Sequence, residues 1–235
     1  MVINMGICFE TKRLLLRELT QQDLPELVRI AGQPHVARWL PDWADCAAWV
    51  QDWFQGVQEG YRLGNPEERF ILLAVEEKGS RSLVGQASLG RECEEYGPGE
   101  LGVGCFMAEE VLNRGYAAEA VAALLDYARS SWGCGRFAAV VKPGNIASAR
   151  MLEKNGFREQ GLLILTVEGK PAEFCLYRNP GISAGTAPPV GAAPELTAKH
   201  CRSCGMVFPH GMKQCPICGA LLSEVSGDAL KRLRS

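Results

Sequence analysis

The sequence predicts an α/β fold with a mixed, largely antiparallel central sheet and flanking helices, followed by a small module organised around a metal. Three observations carry this expectation. Short apolar runs alternate with helical apolar periodicities as far as Tyr177. A stretch rich in proline, glycine and alanine interrupts them between Asn179 and Ala198. Beyond it, four of the ten cysteines fall into two CxxC pairs.

The elements follow in order. Leu14 to Arg17 reads as a short strand, and Thr20 with Asp23 three residues on marks a helix start. Leu24, Leu27, Val28 and Ala31 then repeat at helical spacing. Cys46, Trp49, Val50, Trp53, Phe54 and Val57 do the same, which predicts a second helix. Phe70–Val75 and Ser82–Leu89 read as strands around the turn Lys78-Gly79-Ser80-Arg81. Glu100–Met107 is a further strand, followed by a glycine-containing turn and a helix whose apolar face holds Ala117, Ala120, Val121, Leu124, Leu125 and Ala128. Phe137–Val141 is a strand, and Pro143-Gly144-Asn145 opens a short helix that Gly156 ends. Leu162–Val167 and Ala172–Tyr177 close as a hairpin around Glu168-Gly169-Lys170.

Composition narrows the function classes. Of 235 residues, 47% are hydrophobic and 22% charged, and the formal net charge is −2, which gives no global case for nucleic-acid or membrane binding. No apolar run is long enough to span a bilayer, and Met1 to Glu10 lacks the form of a secretory signal, so the chain reads as cytoplasmic. The six cysteines scattered through the first 180 residues (Cys8, Cys46, Cys93, Cys105, Cys134, Cys175) then read as reduced and mostly buried thiols. The Pro/Gly/Ala stretch has Glu195 as its only charge and no periodicity, so 179–198 reads as a flexible linker spanning roughly 25 Å. It would separate a domain at 9–178 from a cysteine module at 199–221 and a tail at 222–235.

Two segments carry chemistry. Leu112-Asn113-Arg114-Gly115-Tyr116-Ala117 lies between a strand and a helix, where unpaired N–H groups, Gly115 and Arg114 can hold a pyrophosphate or simply redirect the chain. Neither the dinucleotide fingerprint nor the P-loop spacing is present. Asn145-Ile146-Ala147-Ser148 opens a helix, with Asn145 as a good N-cap and Ser148 at the third position, solvated or functional.

Together with Thr11–Arg17, Pro34–Leu40, Leu83-Val84-Gly85, Glu100-Leu101-Gly102 and Glu119-Ala120, and with the second segment running on to Phe157, these segments resemble the GNAT superfamily of N-acetyltransferases, most closely its RimJ/RimL-like branch, over residues 9 to 178. The resemblance implies that strands Glu100–Met107 and Phe137–Val141 splay apart and admit the pantetheine arm of acetyl-CoA. Cys105, Phe106 and Met107 would line that arm, with a backbone N–H near Phe106 as oxyanion donor. Leu112, Asn113, Arg114, Gly115, Tyr116 and Ala117 would hold the pyrophosphate, although the first position, often Arg or Gln in the family, is Leu112. Asn145 would contact the arm, Ser148 would protonate the leaving thiolate, and Glu100 would accept the amine proton. Trp39 and Trp43 could line an acceptor pocket, whereas Trp49 and Trp53 fit a core face. His35 has no catalytic partner in sequence and receives no role.

Cys201-Arg202-Ser203-Cys204-Gly205 and Cys215-Pro216-Ile217-Cys218-Gly219 are two knuckles that can turn four thiolates onto one ion. Cys201, Cys204, Cys215 and Cys218 suit a closed, structural zinc site, and their spacing resembles a short zinc ribbon. The reading is therefore acetyl transfer from acetyl-CoA to a primary amine, a protein N-terminus or a small molecule. The ribbon would dock a protein or ribosomal partner. The alternative is a non-catalytic acyl-CoA-binding adaptor acting through the ribbon.

Overall fold

The computed structural model describes residues 7–62, 71–90, 96, 99–167 and 170–179, and the backbone alone at 197–200, 207–208 and 223–226. The first part runs β1 (Cys8–Glu10), β2 (Leu14–Glu18), α1 (Leu24–Ala31), α2 (Pro34–Ala37), α3 (Pro41–Ala44), α4 (Val50–Arg62), β3 (Ile71–Glu77), β4 (Ser82–Gly90) and β5 (Leu101–Met107). It continues with α5 (Tyr116–Trp132), β6 (Phe137–Val141), α6 (Ile146–Lys154), β7 (Arg158–Val167) and β8 (Lys170–Asn179). These strands form one sheet in the order β1-β2-β3-β4-β5-β6-β8-β7. Every pairing in it is antiparallel except β5 with β6.

The strands form where the apolar residues are dense. The central strand β3 is buried from Ile71 to Glu76, as expected of a strand covered on both faces. The same core holds Leu14 and Leu16 from β2, Leu27 and Ile30 from α1, Leu89 from β4, Leu124 and Leu125 from α5, and Phe137 from β6, all at most 2% exposed. Arg17 crosses the outer strands to join two acids. It bonds both Asp23 carboxylate oxygens at 2.8 Å and reaches Glu76 at 3.1 Å. Burial works to raise the Asp23 carboxyl, but bonds from Arg17 and Thr20 outweigh it and hold it below its ordinary value.

Several elements differ from the sequence expectation. The helix expected across Cys46–Val57 is broken into a short 3-10 turn, Cys46–Ala48, and α4, with Trp49 between them at φ −129°. Apolar spacing reports which residues are buried, and that face continues through the break although the backbone does not. Two short helices, α2 and α3, each open on a proline (Pro34, Pro41), whose fixed φ suits a first helical position. They are too short to show a period. β1 was not expected either; it is a three-residue edge strand. The hairpin β7–β8 is longer than expected and leaves Leu162 and Ile164 about two-thirds exposed. Of the five described scattered cysteines, only Cys46 is a buried residue, Cys8 is exposed and the other three are half-buried, which corrects the expectation of mostly buried thiols; Cys93 lies outside the described residues.

A separate three-stranded antiparallel sheet has the order β10-β9-β11, with β9 (Thr197–His200), β10 (Val207–Phe208) and β11 (Ser223–Ser226). β9 begins two residues inside the segment expected to be linker. Cys201, Cys204, Cys215 and Cys218 lie outside the described residues. Among the described residues no helix is long and apolar enough to cross a membrane.

Candidate active site

The defining feature is the junction of β5 and β6. Their ladder has two rungs, Leu101↔Phe137 and Gly102↔Ala138, and then stops. Val103 to Met107 remain paired to β4 and Ala139 to Val141 to β8, so the sheet stays intact on both sides of an opening in its middle. Backbone groups on the facing edges of such an opening need partners, and an extended polar ligand can supply them.

Above the opening lies the turn into α5. Asn113 and Gly115 both take positive φ, +60° and +78°. At Gly115 this conformation strongly favours glycine and lets the chain curl its N–H groups inward. The Leu112 and Arg114 N–H groups bond back to Glu109 and Val111. Among the described residues, the N–H groups of Asn113, Gly115, Tyr116, Ala117 and Ala118 meet no acceptor. Five such donors at the head of a seventeen-residue helix are of the kind that can hold an anion.

That turn is tied to the start of β2 by Arg13. Its Nε and Nη2 both reach Glu119 Oε2 at 2.6 Å, its Nη1 donates to the Arg114 carbonyl at 2.8 Å, and its guanidinium lies 4.4 Å from the Tyr116 ring centre. Glu119 also accepts from the Thr11 hydroxyl (2.6 Å) and the Arg13 N–H (2.9 Å). Burial works to raise the Glu119 carboxyl, and these bonds outweigh it and hold it low. Tyr116 in turn donates its hydroxyl to Glu77.

The third part is the start of α6. Asn145 Oδ1 accepts from the Ser148 N–H at 3.2 Å, the cap expected from the sequence. The Ser148 hydroxyl is part-exposed and meets no partner among the described residues. The helix α2 and the turn that follows it bridge the two sides of the opening. His35 Nε2 donates to the Met107 carbonyl at 2.9 Å at the end of β5, and the ring of Trp39 stands against Gly144 just beyond β6.

On the sheet face shared with α3, Phe106 meets Trp43 edge-on at 5.3 Å, and Trp43 packs against Trp49 and Trp53 at 5.2 Å each. Directly across the ladder from Phe106 sits Gln86. Near the last rung, a Cβ on Gly102 would stand 2.4 Å from the Tyr96 ring, so that ring covers the glycine. Glu100, two residues before that rung, is held by Arg178 Nε at 3.0 and 3.1 Å. The pair borders a cavity of about 290 Å³ that Arg136, Arg158, Gln160 and Asn179 also line.

A family model described as an acetyltransferase (GNAT) domain matches residues 13–158. The chain belongs to the GNAT acetyltransferase family. Among curated relatives it is 26% identical over 170 residues to the uncharacterized N-acetyltransferase YoaA of Bacillus subtilis, covering 72% of this chain and 93% of that one. The structure of Mycobacterium smegmatis RimJ in complex with CoA-disulfide is similar at TM-score 0.58 and 27% identity, over 70% of this chain and 80% of that one. A ribosomal-protein-S5-alanine acetyltransferase of Vibrio fischeri shares the fold at TM-score 0.58 and 20% identity, over 74% and 97% of the two chains.

This acetyltransferase is thus an acyl-CoA-dependent N-acetyltransferase. The structure brings Cys105, Phe106 and Met107 to the edge of the opening, Leu112 to Ala117 to its head, and Asn145 with Ser148 beside its β6 side. Glu100 sits apart from these, on the paired side of the last rung. Two contributors went unassigned from sequence, Arg13 and His35, because their importance lies in contacts to residues 101 and 72 positions away. Among the described residues no group of three or more metal-ligating side chains occurs.

Proposed function

We propose that this acetyltransferase moves the acetyl group of acetyl-CoA to a primary amine, a protein N-terminus or a small-molecule amine, by direct attack on the thioester. The observation that carries the reading is the ladder that ends at Gly102↔Ala138 beneath five amides without acceptors. The residues fit the ligand: a strand edge matches the amide-bearing arm, and the helix head matches the pyrophosphate. The CoA-disulfide complex of the similar M. smegmatis RimJ supports the same class of ligand here. Acetyl-CoA supplies the activated thioester. Cys105, Phe106 and Met107 hold its arm, an N–H near Phe106 faces the carbonyl oxygen, and Leu112 to Ala117 bind the phosphates. Asn145 orients the arm and Ser148 delivers a proton to the departing sulfur. Glu100 is fixed by Arg178, so the amine proton reaches it through water. A cysteine-linked acyl intermediate is disfavoured, because desolvation of the sulfur of half-buried Cys105 pushes its thiol up to about 12 and keeps it protonated.

The test is thiol release from acetyl-CoA with a panel of N-terminal peptides, polyamines and aminoglycosides. Turnover with at least one amine is expected. Tight acetyl-CoA binding without turnover on any of them would return the adaptor alternative, which membership of an acetyltransferase family disfavours.

The cysteine module is read as a structural zinc ribbon that docks a protein or ribosomal partner, in a chain working in the cytoplasm. Four thiolates complete a tetrahedral shell and leave no open position. His200 pairs with Val207 in an antiparallel register, and Cys201 and Cys204 fall in sequence between those partners, as a knuckle between two strands requires. Elemental analysis of the full chain is expected to find one zinc per molecule. The Cys201→Ser/Cys215→Ser double variant should hold none, and equal zinc in both would remove the assignment.

A further inference from the structure

Gln86 is a buried polar side chain whose carbonyl oxygen is not used by the described residues. It is 5% exposed, in the middle of β4, and its Oε1 is buried without a donor among the described residues. A buried amide oxygen without a partner is destabilising, and an apolar side chain of similar shape would serve the sheet better. Its direction follows from the register. Gln86 lies opposite Ala74 on β3 and Phe106 on β5, and residues directly opposite in an antiparallel ladder share a face. That face is the one on which Phe106 meets Trp43. Phe106 is itself four residues beyond the last β5–β6 rung, so Gln86 is the cross-strand neighbour of the open segment.

We propose that Gln86 Oε1 is the hydrogen-bond acceptor for the attacking nitrogen. The substrate class is a primary amine whose carrier is apolar next to that nitrogen, lodged against Trp43 and Phe106. This rests on the acetyl-transfer reading above. A carbonyl oxygen accepting one N–H turns the nitrogen lone pair away from itself and across β5 toward the arm. The neutral oxygen also binds the amine without adding a counter-charge that would hold it as an ammonium. In the step it orients, the nitrogen–carbon bond forms as the carbon–sulfur bond breaks. The nitrogen loses one proton to water and the sulfur gains one from Ser148, which water recharges; the products are an amide and free CoA.

The experiment uses the full chain and Gln86→Met, with Gln86→Leu as a second apolar replacement, against the amine on which the wild type turns over fastest. The expected result is an acceptor KM raised about tenfold, the loss of one hydrogen bond to the amine. The Kd for acetyl-CoA should stay within about twofold by calorimetry, and the Tm should not fall. An acceptor KM within about twofold of wild type, with the Tm held or raised, overturns the inference and leaves the acetyl-transfer reading standing. If both variants are unfolded, Gln86 is structural and the inference is equally overturned. A wild type that turns over no amine overturns both.

Discussion

Ser148→Ala is expected to lower kcat about 100-fold, the lower end of the range for loss of a positioned proton donor, while the Kd for acetyl-CoA stays within about twofold. Two features separate this serine from an ordinary helix residue. Its N–H is already satisfied by the Asn145 cap at 3.2 Å, so the hydroxyl is not needed to close the helix end. That hydroxyl meets no partner among the described residues and stands on the helix that follows β6, across the opening from Phe106. Alanine is a better helix former than serine, so the variant should be as stable as the parent. Steady-state kinetics with calorimetry decide the matter, and an unchanged kcat would remove the role.

Arg13→Ala should weaken acetyl-CoA binding about tenfold with a much smaller effect on kcat, because it loosens the site's scaffold without touching the reacting atoms. Arg13 makes the Arg114 carbonyl bond and braces Tyr116, so its loss frees the turn in which five amides are held together. It also strips Glu119 of its cation while leaving the carboxylate 18% exposed, which should cost about 1 kcal/mol of stability after screening. The sign with pH follows from the depressed Glu119 carboxyl. Its stabilisation is present above the ordinary carboxylate range and is lost as pH falls through the lower folded-state value. The gap in Tm between Arg13→Ala and wild type should therefore narrow in acid. Arg13→Lys keeps the charge but not the fork, and should recover part of the stability and little of the binding. Equal Kd values for Arg13→Ala and wild type would refute the bracing role.

What could be read in advance was local. The turn before α5, the Asn145 cap and Gly156 at φ +79° are each determined by a few neighbouring residues, and their chemistry shows in the string. The zinc proposal rests on a local pattern as well, two cysteine pairs with their own spacing, but those cysteines lie outside the described residues. What could not be read was made by distant partners. Gln86 looks like any polar residue in a strand until the register sets it opposite Phe106. Glu100 reads in the string as a candidate proton acceptor, and only the pairing of β8 brings Arg178 to it. The short helices α2 and α3 have four residues each, too few for periodicity, yet α2 and the turn after it carry the two contacts that span the opening, from His35 and Trp39.

The two-rung junction makes the sheet a pair of leaves on a short spine rather than one plate. One leaf is β1 to β5 and the other is β6, β8 and β7, with α5 as the chain between them. Any molecule seated in the gap borrows backbone partners from both leaves and so acts as a temporary strand. Ligand occupancy and folding are then a single equilibrium, with about 2.7 kcal/mol added to stability at a hundredfold excess over Kd. A product seated there would leave by undoing the same seam. A spine this short would keep that reversal inexpensive, and a longer ladder would have closed the gap to the ligand altogether.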